Sequence, residues 1–253
     1  MTTKRIHLET HAGMAVLRID RPPANAIDLE LARELESAFA AVEAGDAIRA
    51  LVLTGAGSCL SAGLDLKVVP TYPPDRQREM VMALNGMVGR LYGLQLPTVA
   101  AVNGHAIAGG LILTLACDYR VGAEGDYKLG LSEARVGFPF PVAPMEIVRA
   151  ELAPPVARIA TLLARNIGPQ EALANRMLDE LQPPDRLLPR ALEIAQEMAE
   201  LPRSTYGRIK RRLRADALAR IEDATVNGND PMLNSWLGAE TSSAAAEVLR
   251  GRS

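Results

Sequence analysis

Two features of the stretch from Pro97 to Glu133 could do chemistry together: the adjacent glycines Gly109-Gly110, and Glu133, the carboxylate that closes a segment otherwise built of Leu, Gly and Ser. Two glycines at a helix start let the backbone turn sharply and let a ligand approach where a Cβ would stand. The N–H groups of a first helical turn have no intrahelical partner, so they can face an oxygen that carries negative charge. Such donors plus one carboxylate are a toolkit for moving a proton beside a carbonyl.

The elements around these residues follow from pattern. Thr98 to Val102 is a short β-branched and alanine run that reads as a buried strand; a turn follows at Asn103-Gly104, and the apolar run to Cys117 suits a buried helix. Upstream, Ile6–Thr10 and Met14–Ile19 alternate in character across His11-Ala-Gly13 and read as a β-hairpin. A proline-stiffened loop runs from Arg21 to Ala26. Asp28 is an N-cap for a helix to Ala44, with Gly45 as its stop and Leu31, Leu35, Ala38, Phe39 and Val42 on one face. Arg49–Thr54 reads as a buried strand that enters a Gly- and Ser-rich loop, 55–66. Residues 67–74 form a loop with Pro70, Pro73 and Pro74, and Asp75 starts an amphipathic helix bearing Met80, Met82, Leu84, Met87 and Leu91. After the proline-broken segment 136–144, helices are expected over 145–152, 155–164, 169–175, 185–201, 203–226 and 231–250.

Composition excludes several classes. With 253 residues, 48% hydrophobic and a mean hydropathy of +0.05, the chain is expected to be globular with a sizeable core. A net charge of −2 and a pI near 6.0 give no sign of nucleic-acid binding. Cys59 and Cys117 lack metal-ligand partners at useful spacing and are expected as buried thiols, with no metal site. The run Val99–Cys117 is interrupted by Asn103, His105 and glycines, so it reads as strand and helix rather than a membrane span. MTTKRIHLETH carries no apolar signal-peptide run, and the cytoplasm is the expected compartment. Gly55-x-Gly57 is no dinucleotide loop, since Leu60 holds the third glycine position. Ser61 is no nucleophile elbow, since Cys59 holds the first.

Five motifs in order, Arg21-Pro-Pro-Ala-Asn-Ala-Ile-Asp28, Leu51-Val-Leu-Thr-Gly55, Ser61-Ala-Gly-Leu-Asp-Leu66, Pro97 to Gly110 and Cys117-Asp-Tyr-Arg120, resemble the crotonase (enoyl-CoA hydratase/isomerase) superfamily over most of the chain. The resemblance implies an α/β crotonase-like fold of repeated ββα units. Residues 1–195 would be the acyl-CoA-binding core and 196–253 a helical region for oligomerisation, as a homotrimer or a hexamer made of two trimers. It implies an acyl-CoA substrate and no cofactor beyond the coenzyme A that the substrate carries, with neither nucleic acid nor membrane as partner. Carried over, the oxyanion-hole N–H groups are those of Leu64 and Gly109. Ala24, Ala26, Ala62, Gly63, Asp65, Leu66 and Gly110 would bind substrate and CoA. The family's three glycines read here Ala108-Gly109-Gly110, a change tolerated if residue 108 keeps a negative φ. The methionine face at 80–87 is either core or the border of an acyl chain. The run Lys210-Arg-Arg-Leu-Arg214 either touches CoA phosphates or is a solvated helix face.

By the same resemblance, hydratases place water with two glutamates. The position of the first is Ile112 here, and the second aligns with Glu133. One carboxylate can still take a proton α to a thioester and return it at the γ carbon, which moves a double bond. SAGLDL, Ala-Gly-Gly, CDYR and Gly-Leu-x-Glu are similar to the 3,2-enoyl-CoA isomerase branch. Leu131 and Phe138 are apolar neighbours expected to desolvate Glu133 and raise its pKa. His105 is expected as a packed loop residue, Asp118 and Arg120 as structural, and Asp65 as orienting its loop. Three functions follow: an isomerase using Glu133; a hydratase or other acyl-CoA lyase with a further acid such as Asp126 or Glu146; and a non-catalytic acyl-CoA-binding protein.

Overall fold

The computed structural model describes residues 5–234, 236–238 and 241–251. Its strands are β1 (Ile6–His11), β2 (Met14–Ile19), β3 (Ala50–Gly55), β4 (Cys59–Ser61), β5 (Thr98–Val102), β6 (His105–Ile107), β7 (Tyr119–Ala123), β8 (Leu129–Gly130) and β9 (Glu180–Gln182). β1 and β2 form the expected hairpin, antiparallel with Ile6 opposite Ile19, and turn through Ala12 and Gly13, both at positive φ. From β2 onward every pairing is parallel, giving a sheet ordered β1-β2-β3-β5-β7-β9 and a second one ordered β4-β6-β8. β3 and β5 are buried along their whole length, as strands covered on both faces must be, which is why their sequences read as unbroken apolar runs.

The helices are α1 (Leu29–Ala44), α2 (Pro74–Gly93), α3 (Gly109–Leu115), α4 (Glu133–Val136), α5 (Val142–Glu151), α6 (Pro154–Leu162), α7 (Pro169–Ala174), α8 (Leu187–Ala199), α9 (Arg203–Leu213), α10 (Ala215–Val226) and α11 (Thr241–Leu249), with 3-10 turns at Val69–Thr71 and Pro231–Leu233. Asp28 caps α1 as expected, accepting from the Leu31 N–H at 2.8 Å. α2 starts one residue before Asp75, at Pro74, where proline's missing N–H costs nothing.

Three times a strand of the large sheet makes a tight turn into a short strand of the small sheet and then leads to a helix: β3-β4-α2, β5-β6-α3 and β7-β8-α4. These are the ββα repeats. The turns are tight enough that a side chain on Gly55 or Gly104 would overlap the backbone of residues 58–60. The second strands, two or three residues each, show no periodicity of their own and went unforeseen, as did β7 and β9.

Two further expectations are corrected. The helix foreseen over 203–226 breaks at Arg214 (φ −99°, ψ 10°), whose guanidinium turns inward to the Tyr92 carbonyl. The segment 231–250 is a 3-10 turn and then α11, not one helix. The boundary expected at 195 lies within α8, which crosses β3, β5 and β7.

Asp118 ties the C-terminal helices to this core. It receives Lys210 Nζ at 2.7 Å, Arg214 Nη2 at 2.9 Å and the Tyr206 hydroxyl at 2.8 Å, and it also accepts from the Thr98 N–H. The Arg214 guanidinium stacks 3.8 Å from the Tyr92 ring centroid. Two members of the basic run, Lys210 and Arg214, are therefore buried structural cations and not on a solvated face; Arg211 and Arg212 are exposed. Arg120 is structural as foreseen, paired with Glu151 at 2.8 Å and donating to the Arg176 carbonyl.

Candidate active site

The three strands of the small sheet run parallel, so their C-terminal ends share one edge. β4 delivers the loop Ala62–Leu66, β6 delivers Ala108 and Gly109 at the start of α3, and β8 delivers Leu131, Ser132 and Glu133 at the start of α4. Ligands bind at such strand ends because loops with free backbone groups converge there. The Ala108 N–H donates to the Gly130 carbonyl at 2.7 Å, which fixes the α3 start beside the α4 start.

The loop carrying Leu64 is braced on both sides. Ile27 N–H donates to Gly63 C=O at 2.7 Å and Asp65 N–H to Ile27 C=O at 2.9 Å, so Leu64 sits in a one-residue parallel bridge with Ile27. Ala62 N–H donates to Ala24 C=O, and Ser61 Oγ accepts the Gly63 N–H while donating to Asn25 C=O. Asp65 orients the loop as expected: its carboxylate takes Arg21 at 2.8 Å and the Lys67 N–H at 3.0 Å. Arg21 also bonds Asp28 and the Ala26 carbonyl, so one guanidinium joins the two loops. Arg21, Ser61 and Ile27 were given no role in the sequence; the proline-rich motif around Arg21 was the available signal.

Gly63 (φ +80°) meets Gly109 closely: a Cβ on Gly63 would lie 3.1 Å from the Gly109 nitrogen and 2.7 Å from the Ala108 methyl. The Leu64 and Gly109 arms thus converge. Gly109 opens α3, so its N–H has no intrahelical acceptor. Leu64, Gly109, Ala24, Ala26, Ala62 and Leu66 are all half-buried along this edge. Gly63 and Gly110 are buried, and a side chain on Gly110 would overlap the Ser61 carbonyl.

Ala108 does not keep a negative φ. It stands at φ +51°, ψ −119°, a conformation that favours glycine. Ala108→Gly should relieve strain of about 1–3 kcal/mol, offset in part by the roughly 0.5–1 kcal/mol entropic cost of glycine. The expected outcome is a melting temperature higher by a few degrees; an unchanged or lower one would show that the Ala108 methyl against Gly63 is worth the strain.

Glu133 is 8% exposed, and its Oε2 has no hydrogen-bond partner among the described residues. Leu131, Val136 and Phe138 are buried on the same segment. Desolvation pushes the carboxyl up to about 8, opposed by its own backbone N–H. A buried acid with a free oxygen and a near-neutral pKa is suited to taking and returning a proton. Neither alternative acid stands in this way. The Asp126 side chain is fully exposed, and Glu146 is held by Arg149 at 2.8 Å and Arg220 at 2.5 Å. Ile112 is buried in α3, and His105, half-buried at the start of β6, accepts the Lys128 N–H at 3.2 Å. Among the described residues no three His, Cys, Asp or Glu stand together as metal ligands, and no helix is long and apolar enough to cross a membrane.

A two-sheet ββα core with backbone donors and one acid at a shared strand edge defines a crotonase-like protein. The family model for enoyl-CoA hydratase/isomerase matches residues 9–245. The chain is 30% identical over 230 residues to mouse enoyl-CoA delta isomerase 1, mitochondrial, covering 88% of this chain and 80% of that protein. It is 35% identical over 179 residues to a putative enoyl-CoA hydratase of Thermus thermophilus, with 70% of each covered. Its fold matches the crystal structure of human mitochondrial delta3-delta2-enoyl-CoA isomerase with a TM-score of 0.88 at 28% identity, over 98% of both chains. The chain belongs to the enoyl-CoA hydratase/isomerase family.

Proposed function

We propose that the protein is an enoyl-CoA isomerase that shifts a double bond from the 3- to the 2-position. The observation that carries this reading is that Glu133 is, among the described residues, the one buried carboxyl with an oxygen that has no hydrogen-bond partner. The Glu133 carboxylate takes a proton from carbon 2. The electron pair delocalises onto the thioester oxygen, where the Leu64 and Gly109 N–H groups stabilise the charge. The carboxylic acid then returns the proton to carbon 4 as the 2,3 double bond forms. Preorganised donors of this kind contribute roughly 3–4 kcal/mol each to such a step. Water addition is disfavoured by Ile112, which stands where the resemblance puts a hydratase's other glutamate.

The coenzyme A arrives as part of the substrate, along Ala24, Ala26, Ala62, Gly63 and Leu66, and no separate cofactor is needed. Asp65 acts on that path through the loop it holds with Arg21. A closed homo-oligomer, a trimer or a pair of trimers, would cover the exposed apolar residues Leu162 and Leu163 beside α6 and Ile209 and Leu213 on α9. The cytoplasm is the proposed compartment.

The test is incubation with a 3-enoyl-CoA, following the conjugated 2-enoyl product by absorbance and, with substrate deuterated at carbon 2, by transfer of deuterium to carbon 4. Conjugation without 3-hydroxyacyl product is expected. Bound but unchanged 3-enoyl-CoA would make the protein an acyl-CoA binder, and a 3-hydroxyacyl product from 2-enoyl-CoA would make it a hydratase.

A further inference from the structure

The segment after α10 crosses back over the core and is fastened at three points. Asp230, buried, accepts from Asn85 Nδ2 at 2.7 Å, from the Val142 N–H at 2.8 Å and from the Met232 N–H at 2.8 Å. Asn85, itself fully buried on α2, accepts in turn from the Ala143 N–H at 2.8 Å. This anchor joins the segment to α2 and to the first turn of α5. The second fastening is Trp236, whose indole N–H donates to the Pro139 carbonyl at 2.9 Å and whose ring meets Phe138 edge-on with centroids 5.5 Å apart. The third is Thr241, whose hydroxyl donates to the Gly137 carbonyl at 2.8 Å.

The last two fastenings fall on the residues that close α4. Gly137 takes the left-handed conformation at φ +71°, and its N–H and that of Phe138 both return to the Glu133 carbonyl. A Cβ on Gly137 would stand 3.2 Å from the Thr241 Cα, so the strap passes as close as a glycine permits. α11 then touches both α4 and the 3-10 turn at Val69–Thr71, just beyond the Leu64 loop. The chain's C-terminal part therefore spans the two walls from which the acid and one backbone donor project.

We propose that the described residues between Asp230 and Leu249 form a strap that holds the Glu133 helix in place and keeps water from its carboxyl, with Trp236 and Thr241 as positioning residues. The inference rests on the acid–base role given to Glu133 above. A helix of one turn has too few internal hydrogen bonds to hold its own geometry, so the position of Glu133 has to be set from outside. The strap supplies that constraint through Gly137, Phe138 and Pro139. It brings no charge to the acid: the Asp230 carboxylate is turned to Asn85 and the Val142 and Met232 N–H groups, and Arg135 on α4, Arg158 on α6, and Glu247 and Arg250 in and just after α11 all face solvent. Its effect on Glu133 is therefore exclusion of water, the same desolvation that raises the carboxyl's pKa.

The experiment compares the full-length wild type with Thr241→Val, Thr241→Ser and Trp236→Phe. In each unliganded protein the Glu133 titration is read from the carboxyl infrared band, assigned by its absence in Glu133→Gln, and the pH profile of kcat/KM on 3-enoyl-CoA is recorded beside it. Thr241→Val and Trp236→Phe are expected to keep the fold by circular dichroism and to lower the Glu133 titration by about one unit, a tenfold loss of proton affinity. Thr241→Ser, which keeps the hydroxyl, should titrate as wild type. Folded Thr241→Val and Trp236→Phe with an unmoved titration would overturn the strap. If Trp236→Phe fails to fold, Thr241→Val, which removes one hydrogen bond, decides alone. A shifted titration in a protein that never isomerises 3-enoyl-CoA would keep the strap and overturn the isomerase reading; turnover with an unmoved titration would do the reverse.

Discussion

Glu133→Gln should abolish most turnover on 3-enoyl-CoA, lowering kcat by about 10²–10⁴-fold, while making the folded protein more stable at alkaline pH. The two effects have one origin. The amide keeps the shape of the side chain but can neither take a proton from carbon 2 nor deliver one to carbon 4, and neither alternative acid can replace it, since Glu146 is ion-paired and Asp126 is fully exposed. The stability gain follows from linkage. Burial raises the Glu133 carboxyl from 4.5 when unfolded to about 8 when folded. Below pH 4.5 both states are protonated and Glu133 contributes no pH dependence. Between 4.5 and 8 the folded state holds a proton that the unfolded state has released, so stability falls as pH rises, at about 1.4 kcal/mol per unit. Above 8 the buried carboxylate carries its full penalty. Gln removes this slope, so the thermal melts of variant and wild type should differ most at pH 8–9 and converge near pH 4.5. The same titration sets the rate: kcat/KM of the wild type should climb with pH as the free carboxyl ionises and level off above about 8. A Gln variant with wild-type turnover would remove Glu133 from the chemistry, and coincident melts at every pH would show that its carboxyl is hydrated.

How much of this was legible in the sequence depended on the range of the interaction that carries each feature. The hairpin, β3, β5 and α1 were readable because their signals are local: alternation, unbroken apolar runs buried on both faces, an aspartate cap. The ββα repeats came from the resemblance of ordered motifs. No pattern within β4, β6 or β8 announces a strand, because two or three residues are held there by neighbours in the small sheet and not by their own preference. Glu133 stood out as a carboxylate in an apolar segment, and burial was the physical consequence of that setting. The positive φ of Ala108 was not legible because alanine gives no hint of it; the constraint comes from the Gly130 carbonyl on β8 and Gly63 in the loop after β4. The strap was illegible for the same reason: Trp236 and Thr241 meet Pro139 and Gly137 about a hundred positions away. The basic run read equally as a contact for CoA phosphates or a solvated face, because its partner, Asp118, lies 92 positions from Lys210.

That partnership carries the largest expected loss of stability. Asp118→Ala would leave Lys210 with the Leu96 carbonyl at 3.1 Å and the Thr98 hydroxyl at 3.5 Å as its nearest polar contacts, and Arg214 with the Tyr92 carbonyl at 2.9 Å and the carboxylate of Glu151 at 3.6 Å. Removing one member of a buried ion pair typically costs about 3–5 kcal/mol, because the remaining charge stays desolvated and uncompensated. For a chain of this size that corresponds to a melting temperature lower by roughly 10 °C. The cost should depend on pH with a definite sign. Burial already holds the Lys210 amine below its usual range, against the pull of Asp118. Without Asp118 that depression deepens, so the unfolded state binds the proton more tightly than the folded one, and stability rises with pH as the folded amine sheds its proton. The destabilisation should therefore be greatest at low pH and ease toward alkaline pH. Adding Lys210→Met to Asp118→Ala tests the cause. If the unpaired charge is what destabilises, the double variant is more stable than the single one, since the methionine fills the same space without a proton to desolvate. If it is less stable, the loss lies in the packing of α9 against β5, and the charge of Lys210 is incidental to it.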